Sequence, residues 1–463
     1  MDGWKKRYAA PRRELFREGL MTAVTDTLPL YRAEYQRFCQ HAFGPDWLLK
    51  RHQEAFTAFE ELGFPQRDDE EWRFTPTASL VQTPFHLPSD SIALTARDIQ
   101  PWLLVQEASA VLVFLNGRFQ PQLSTINELD GAIVLDLRTA LQTQPELLQR
   151  HLSQYAPAAQ HTFVALNTAF FDDAAVVYLP HESRLERPLY LLFISAGTEE
   201  ATLSAPRVLV VAEEASEAAL IECYAGPSGK LYFTNSVTEI VAAPGSILDH
   251  YRVNLEGQAS FHFSYTHATI HREAHFTSHS LTLGGRWVRN EVYAELQGEK
   301  GYCLLNGLYL GTEQQIIDNH TTIDHAAPSC ESHEFYKGIL DGHSHGVFNG
   351  KIYVRPHAQK TDAKQTNQGL LLSRNAQINS MPQLKIYADD VKCTHGATVG
   401  QLSKEALFYL RTRGIEKAEA EAILIRAFAM DIINRMSLES LKEALDTLLL
   451  ERLSKGRVVE VRK

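Results

Sequence analysis

The sequence predicts a mainly β chain whose centre is a parallel β-solenoid, with helical or mixed regions on either side. Three observations between about residues 205 and 400 lead there. Short β-rich runs recur, among them Arg207–Val211, Ser236–Val241, Ser280–Leu283 and Lys351–Val354. Turn residues separate the runs, at Pro244-Gly245, Gly284-Gly285, Gly298–Gly301, Gly342–Gly346 and Arg355-Pro356. No stretch there has the period of an amphipathic helix, which argues against βαβ units. Many short strands without crossover helices leave a sandwich, a barrel or a solenoid. Small residues recurring at turns before new strands favour the solenoid, and related phrases recur at His357-Ala358-Gln359 and Asn375-Ala376-Gln377.

The elements before the solenoid follow in order. Residues 1–20 carry Lys5, Lys6, Arg7, Arg12 and Arg13 together with Asp2, Glu14 and Glu18, and no apolar core. They read as a solvated tail rather than a signal peptide, and the acids count against a transit peptide. Met21 is an alternative start. Asp46 is a candidate cap for a helix with Trp47, Ala55, Phe59 and Leu62 roughly on one face, ended by Gly63 and Pro65. Val111–Leu115 and Leu189–Ile194 read as short buried strands, and Leu137–Leu152 as a helix.

Beyond the solenoid the pattern returns to helix. Leu407–Leu410 begin one that Gly414 can end, and Glu416–Arg435 form a second. Ser437 is a candidate cap for a third, with the stripe Leu438, Leu441, Leu445, Leu448 and Leu449. Helices there would cover an open end of the solenoid core, or carry a docking surface for a partner. The expected division is a helical and mixed region over 1–170, a solenoid core over 171–400 and a helical domain over 401–463.

Composition narrows the function. The chain has 463 residues, 44% hydrophobic and 22% charged, with a net charge of -11. That charge argues against a nucleic-acid surface and an anionic membrane surface, and favours protein partners or small ligands. The five cysteines, Cys39, Cys223, Cys303, Cys330 and Cys393, are odd in number and scattered, so a disulfide framework is not expected and a reducing compartment is. No apolar run approaches the roughly 18–20 residues that span a bilayer. The sequon Asn319-His320-Thr321 reads as chance.

The chemistry-bearing motif is Cys393-Thr394-His395-Gly396. A thiol and an imidazole two residues apart on a strand share a face, and both suit iron, zinc or an iron–sulfur cluster. Two ligands are too few for a closed site, so the others would come from elsewhere. A buried Cys beside a hydrogen-bonded His is the more ordinary reading of that spacing. Gly226-Pro227-Ser228-Gly229-Lys230-Leu231 fails as a phosphate loop on spacing and reads as a turn. His267, His271, His275 and His279 fall four apart and read as an exposed polar ladder that bent strands would break up. His343 and His345 are a weaker metal pair. No nucleophile elbow, HExxH helix or kinase signature is present.

Longer stretches carry a resemblance. FNGKIYVRPHAQKTDAKQTNQGLLLS (348–373), PQLKIYADDVKCTHGATVGQL (382–402), EALFYLRTRGI (405–415), GFPQRDDEEWRFT (63–75) and LNGLYLGTEQQIIDNHTTIDH (305–325) resemble the SufB/SufD family of iron–sulfur assembly proteins. The Cys393, His395 and Gly396 run resembles the SufD type, since the SufB type has His-Glu where this chain has His395-Gly396. The segment before Met21 departs from the family pattern. The resemblance implies a right-handed parallel β-helix between helical regions. It implies a non-catalytic scaffold in a cytoplasmic complex with a SufB-like paralogue, met through the β-helix, and a SufC-like ABC ATPase, docked on the C-terminal helices. Cys393 and His395 would then hold iron or a nascent iron–sulfur cluster shared with SufB, and reduced flavin would be associated with the complex at no identified residue. A homodimer of the isolated chain is expected where the SufB edge is left bare. Two rivals stand beside this: a purely structural adaptor, and a stand-alone carbohydrate-active β-helix enzyme.

Overall fold

The computed structural model describes residues 27–88, 93–127, 129–197 and 200–457. The tail expected over 1–20, and Met21, lie outside the described residues. In chain order the solenoid strands are β1 (Ala110–Leu115), β2 (Ala175–Leu179), β3 (Leu189–Ile194), β4 (Arg207–Ala212), β5 (Glu217–Ala225), β6 (Tyr232–Ala242), β7 (Ile247–Leu255), β8 (Phe261–Ile270), β9 (His275–Thr282), β10 (Trp287–Leu296), β11 (Tyr302–Gly311), β12 (Ile316–His325), β13 (Glu331–Leu340), β14 (His345–Val354), β15 (Asp362–Leu371), β16 (Gln377–Ile386) and β17 (Lys392–Gly400). Odd strands form one sheet and even strands the other, so the chain changes sheet at each step. Within each sheet these strands pair in parallel, giving a mainly β solenoid of about eight turns.

Alternation decides what fills it. Ile240, Ala268, Ala294, Ile323 and Ile352 are register partners on successive even strands and all point inward, fully buried. No single turn could cover that surface alone; each is roofed by the next. The corners before the odd strands repeat a second device. Ala215, Gly245, Glu273, Lys300, Ser329 and Lys360 all have φ between 57° and 69°. Each N–H donates to a carbonyl one turn further on: Pro244, Arg272, Glu299, Pro328, Gln359 and Asp390 in that order. The left-handed geometry costs roughly 1–3 kcal/mol at a non-glycine residue, and these inter-turn bonds hold it in place.

The N-terminal region packs on the outer face of the even sheet. It contains α1 (Leu28–Cys39), α2 (Asp46–Leu62), α3 (Leu137–Thr143), α4 (Pro145–His151) and α5 (Thr162–Phe170). Two local expectations need correcting. Asp46 is the first residue inside α2, after an extended Pro45, and caps nothing with its side chain. The single helix expected over Leu137–Leu152 is two, because Pro145 lacks the N–H to continue α3 and starts α4 instead. Gly63 does end α2, at φ 62°. An aromatic cluster joins the helices, with Tyr35 stacked on Phe56 at 4.0 Å and Phe170 edge-on to both.

After β17 come α6 (Lys404–Thr412), α7 (Lys417–Ile433) and α8 (Glu439–Arg457). The α7 helix lies on the outer face of the odd sheet, where Lys337 Nζ meets Asp431 Oδ2 at 2.8 Å and the Phe428 carbonyl at 3.2 Å. Ser437 ties the start of α8 to β7, its Oγ 2.5 Å from Asp249 Oδ2 and 2.7 Å from the Tyr251 hydroxyl. Leu441, Leu445 and Leu449 face inward from α8. No helix among the described residues is long and apolar enough to cross a membrane.

Candidate site at the open end of the solenoid

The two ends of the solenoid differ. At the first, β1 is covered by antiparallel strands Arg118–Phe119 and Thr125–Ile126, and β2 by Ile133–Asp136. At the other, β16 and β17 terminate their sheets with no strand beyond them among the described residues. Cys393 and His395 lie on β17. Their register partners on β15 are Ala363 and Gln365, which point into the interior and are buried. So Cys393 and His395 occupy core-facing positions on the last rung, where no further turn roofs them. His395 is exposed and Cys393 half-buried.

The chemistry of the pair follows from that position. Partial burial, and then the nearby Asp362 carboxylate, push the Cys393 thiol up, against a hydrogen bond from the Ala363 N–H. Its neighbours include Ile352, Val354, Ala358 and Ala388 of a small apolar cluster. An approaching cation would favour the thiolate, whereas the resting site holds the proton. Among the described residues no group of three or more His, Cys, Asp or Glu side chains is placed to hold a metal ion. The pair therefore supplies at most two soft or borderline ligands, open on the solvent side.

Beneath His395 the interior is polar. Gln365 Nε2 donates to Glu334 Oε2 at 2.6 Å, and Glu334 and Gln365 are register partners one rung further in. Burial pushes the Glu334 carboxyl up to about 7, against the pull of Thr321 and Gln365. Deeper still lies a charged cluster that sequence reasoning missed. Glu222 accepts from the Tyr224 hydroxyl at 2.7 Å and has His250 Nε2 at 3.2 Å. Arg252 donates to His262 Nε2 at 3.1 Å, so the ring proton of neutral His262 sits on Nδ1, 2.8 Å from Glu256 Oε2. Burial keeps the His262 pKa down. Glu222, Tyr224, Arg252 and His262 alternate with apolar neighbours along their strands, but only the register reveals that they converge.

The other histidine candidates do not form sites. His267 and His279 lie in opposite sheets, with His271 in the turn between them and His275 starting β9. His267 stacks on Tyr293 and His279 on Tyr251, and burial lowers both pKa values, that of His279 to about 3. His343 and His345 bind Asn375 and Asn379 rather than each other. Cys39 is exposed, and Cys223, Cys303 and Cys330 are buried.

Two family models match the sequence. The SufBD core domain of the SUF system for FeS cluster assembly covers residues 193–428, and the SufBD protein N-terminal region covers 21–191. The iron-sulfur cluster assembly protein SufD of Escherichia coli is 32% identical, over 88% of this chain and 94% of its own length. An iron-sulfur cluster assembly SufBD family protein of Synechocystis is 33% identical over 85% of this chain and 89% of its own. SufD of Bacillus subtilis is 24% identical over 87% and 93%.

Proposed function

This chain belongs to the SufBD family of iron–sulfur cluster assembly proteins, and from that premise we propose a SufD-type, non-catalytic scaffold subunit that pairs with a SufB-like paralogue and docks a SufC-like ABC ATPase. The observation that carries the reading is the placement of Cys393 and His395 on one face of the solenoid's uncovered last rung. Iron, or a nascent cluster, is cargo here. Thiolate binds iron strongly, imidazole completes a mixed site, and incomplete ligation permits release. The SufB-like chain seats on the β16–β17 end and brings the remaining ligands. Without it, two copies of this chain cover that end in a homodimer.

The ATPase docks on α6–α8, where Phe408 and Tyr409 of α6 are 70% and 58% exposed. ATP hydrolysis belongs to that partner. Its closure moves the helices and alters the exposure of Cys393. Reduced flavin belongs to the assembled complex, with no residue of this chain assigned to it, and the cytoplasm is its place of action. The functional units are the N-terminal region to residue 170, which also supplies β1 to the odd sheet, the core over 171–400 and the helical domain from 401.

A purely structural adaptor is the second reading, favoured by the half-buried, protonated state of Cys393. The carbohydrate-enzyme rival loses ground in the groove between the N-terminal region and the outer face of the even sheet. Its Glu71 and Glu291 carboxylates are bound to cations and held below the ordinary range, the opposite of a general acid. Co-expression with SufB- and SufC-like chains, followed by purification through a tag on this one, tests the scaffold. A stable three-component complex is expected, and recovery of this chain alone while both partners are soluble would overturn it.

A further inference from the structure

A groove of about 1230 Å³ lies between the N-terminal region and the outer face of the even sheet, apart from the open end. Its floor is built from outward-facing residues of that sheet, and the cations there are already matched. Arg289 pairs with Glu291 and Asp318, Lys351 with Glu71, and Arg355 with Glu295 and Asp324. The rim is not matched. Asp69 and Glu70 line the groove, are exposed, and form no ion pair with any described residue. Tyr293, Tyr353 and Tyr387, half-buried or exposed, add aromatic faces. Cations already sit on such faces nearby, Arg289 at 3.7 Å over Trp72 and Lys385 at 4.9 Å over Tyr353. An acidic rim over aromatic walls is chemistry for lysine and arginine side chains, and it disfavours an anionic ligand.

The chain carries such a segment. Residues 4–13, Trp-Lys-Lys-Arg-Tyr-Ala-Ala-Pro-Arg-Arg, hold five cations, two aromatics and no acid, in a chain of net charge -11. They precede residue 21, where the family match begins. They are also within reach. Tyr31 of α1 lies 5.6 Å from Phe64, and Phe64 lies 6.0 Å from Phe163, which lines the groove. Thr27 is one helical turn, about 6 Å, before Tyr31. The chain from Arg13 to Thr27 spans up to about 45 Å when extended, more than that separation needs.

We propose that residues 4–13 dock in this groove in cis, with their lysine and arginine side chains on the acidic rim and the tyrosine faces. The test uses the full chain with the photo-cross-linking residue p-benzoylphenylalanine in place of Tyr387, which is 56% exposed at the groove. Irradiation should join position 387 to peptides from residues 1–20 within one molecule. The yield should fall about fivefold or more in Asp69→Lys/Glu70→Lys and at high salt. Lys5→Glu/Lys6→Glu/Arg7→Glu tests the other side of the contact should the rim variant fail to fold. Cross-links that never reach residues 1–20, that join two copies, or that ignore both charge reversals would overturn the proposal.

Discussion

Glu239 and Arg207 form a fully buried ion pair, Oε2 to Nη2 at 2.6 Å, where the N-terminal region meets the solenoid. The carboxylate also accepts the backbone N–H groups of Ser153, at 2.7 Å, Tyr155, at 2.7 Å, and Ala156, at 3.0 Å. Burial alone would raise its pKa, yet Arg207 and these donors hold it below the ordinary carboxylate range. One side chain thus fixes both a buried guanidinium and a loop from the other region. Glu239→Ala strands the charge of Arg207 and three N–H donors at once. We predict a loss of about 3–5 kcal/mol in urea unfolding, the usual cost of breaking a buried pair on one side. Adding Arg207→Met should recover part of it.

Glu334 predicts a pH dependence of the opposite sense to that of most carboxylates. Its folded-state pKa, about 7, lies above the unfolded value. The native state therefore binds the extra proton, so this contribution to stability is complete below the ordinary carboxylate range and is lost as pH rises through 7. Glu334→Gln removes the titration and can still meet Gln365. The variant should match the parent near pH 4.5 and exceed it by up to about 3 kcal/mol at pH 8 in chemical denaturation. A difference independent of pH would show that Glu334 does not titrate between those values.

What the sequence made legible was the alternation of short strands and turns, the helices at both ends, and the shared face of Cys393 and His395. Arg207–Val211 and Lys351–Val354 fall inside β4 and β14. The repeat itself was hidden for a physical reason. Its left-handed corner is held by inter-turn N–H bonds, which accept Ala215, Glu273, Lys300 and Ser329 as well as Gly245, so no glycine recurs to mark it. The four-residue spacing of the histidines was read along the chain, whereas the sheets separate them. The exposure of Cys393 and His395 comes from β17 being the last rung, a property of the whole stack rather than of the local motif.

The α6 helix has no buried residue, and Phe408 and Tyr409 are among the most exposed large side chains described. Replacing both by Asp removes apolar surface without opening a cavity. Phe408→Asp/Tyr409→Asp should leave the thermal midpoint within about 2 °C of the parent. Co-purification with the SufC-like ATPase should drop at least about tenfold, as loss of an aromatic anchor commonly does. Retention of the ATPase at parental levels would move its docking surface away from α6.

The open end separates the scaffold reading from the adaptor reading through two single substitutions. His395 is exposed on the last rung, so His395→Ala removes the proposed ligand while leaving the core intact. Cys393 is half-buried against Ile352, Val354 and Ala388, so Cys393→Ala should cost roughly 1 kcal/mol of packing in addition to the thiol. If both side chains hold the cargo, each variant should still assemble with its partners. Each should then lower reconstituted cluster formation, followed by absorbance and circular dichroism of the complex. A loss with His395→Ala but not Cys393→Ala would make the imidazole the ligand and leave the thiol, protonated at rest, a packing role. Full cluster formation by both variants in the assembled complex would leave this chain as an adaptor and place every ligand on its partner.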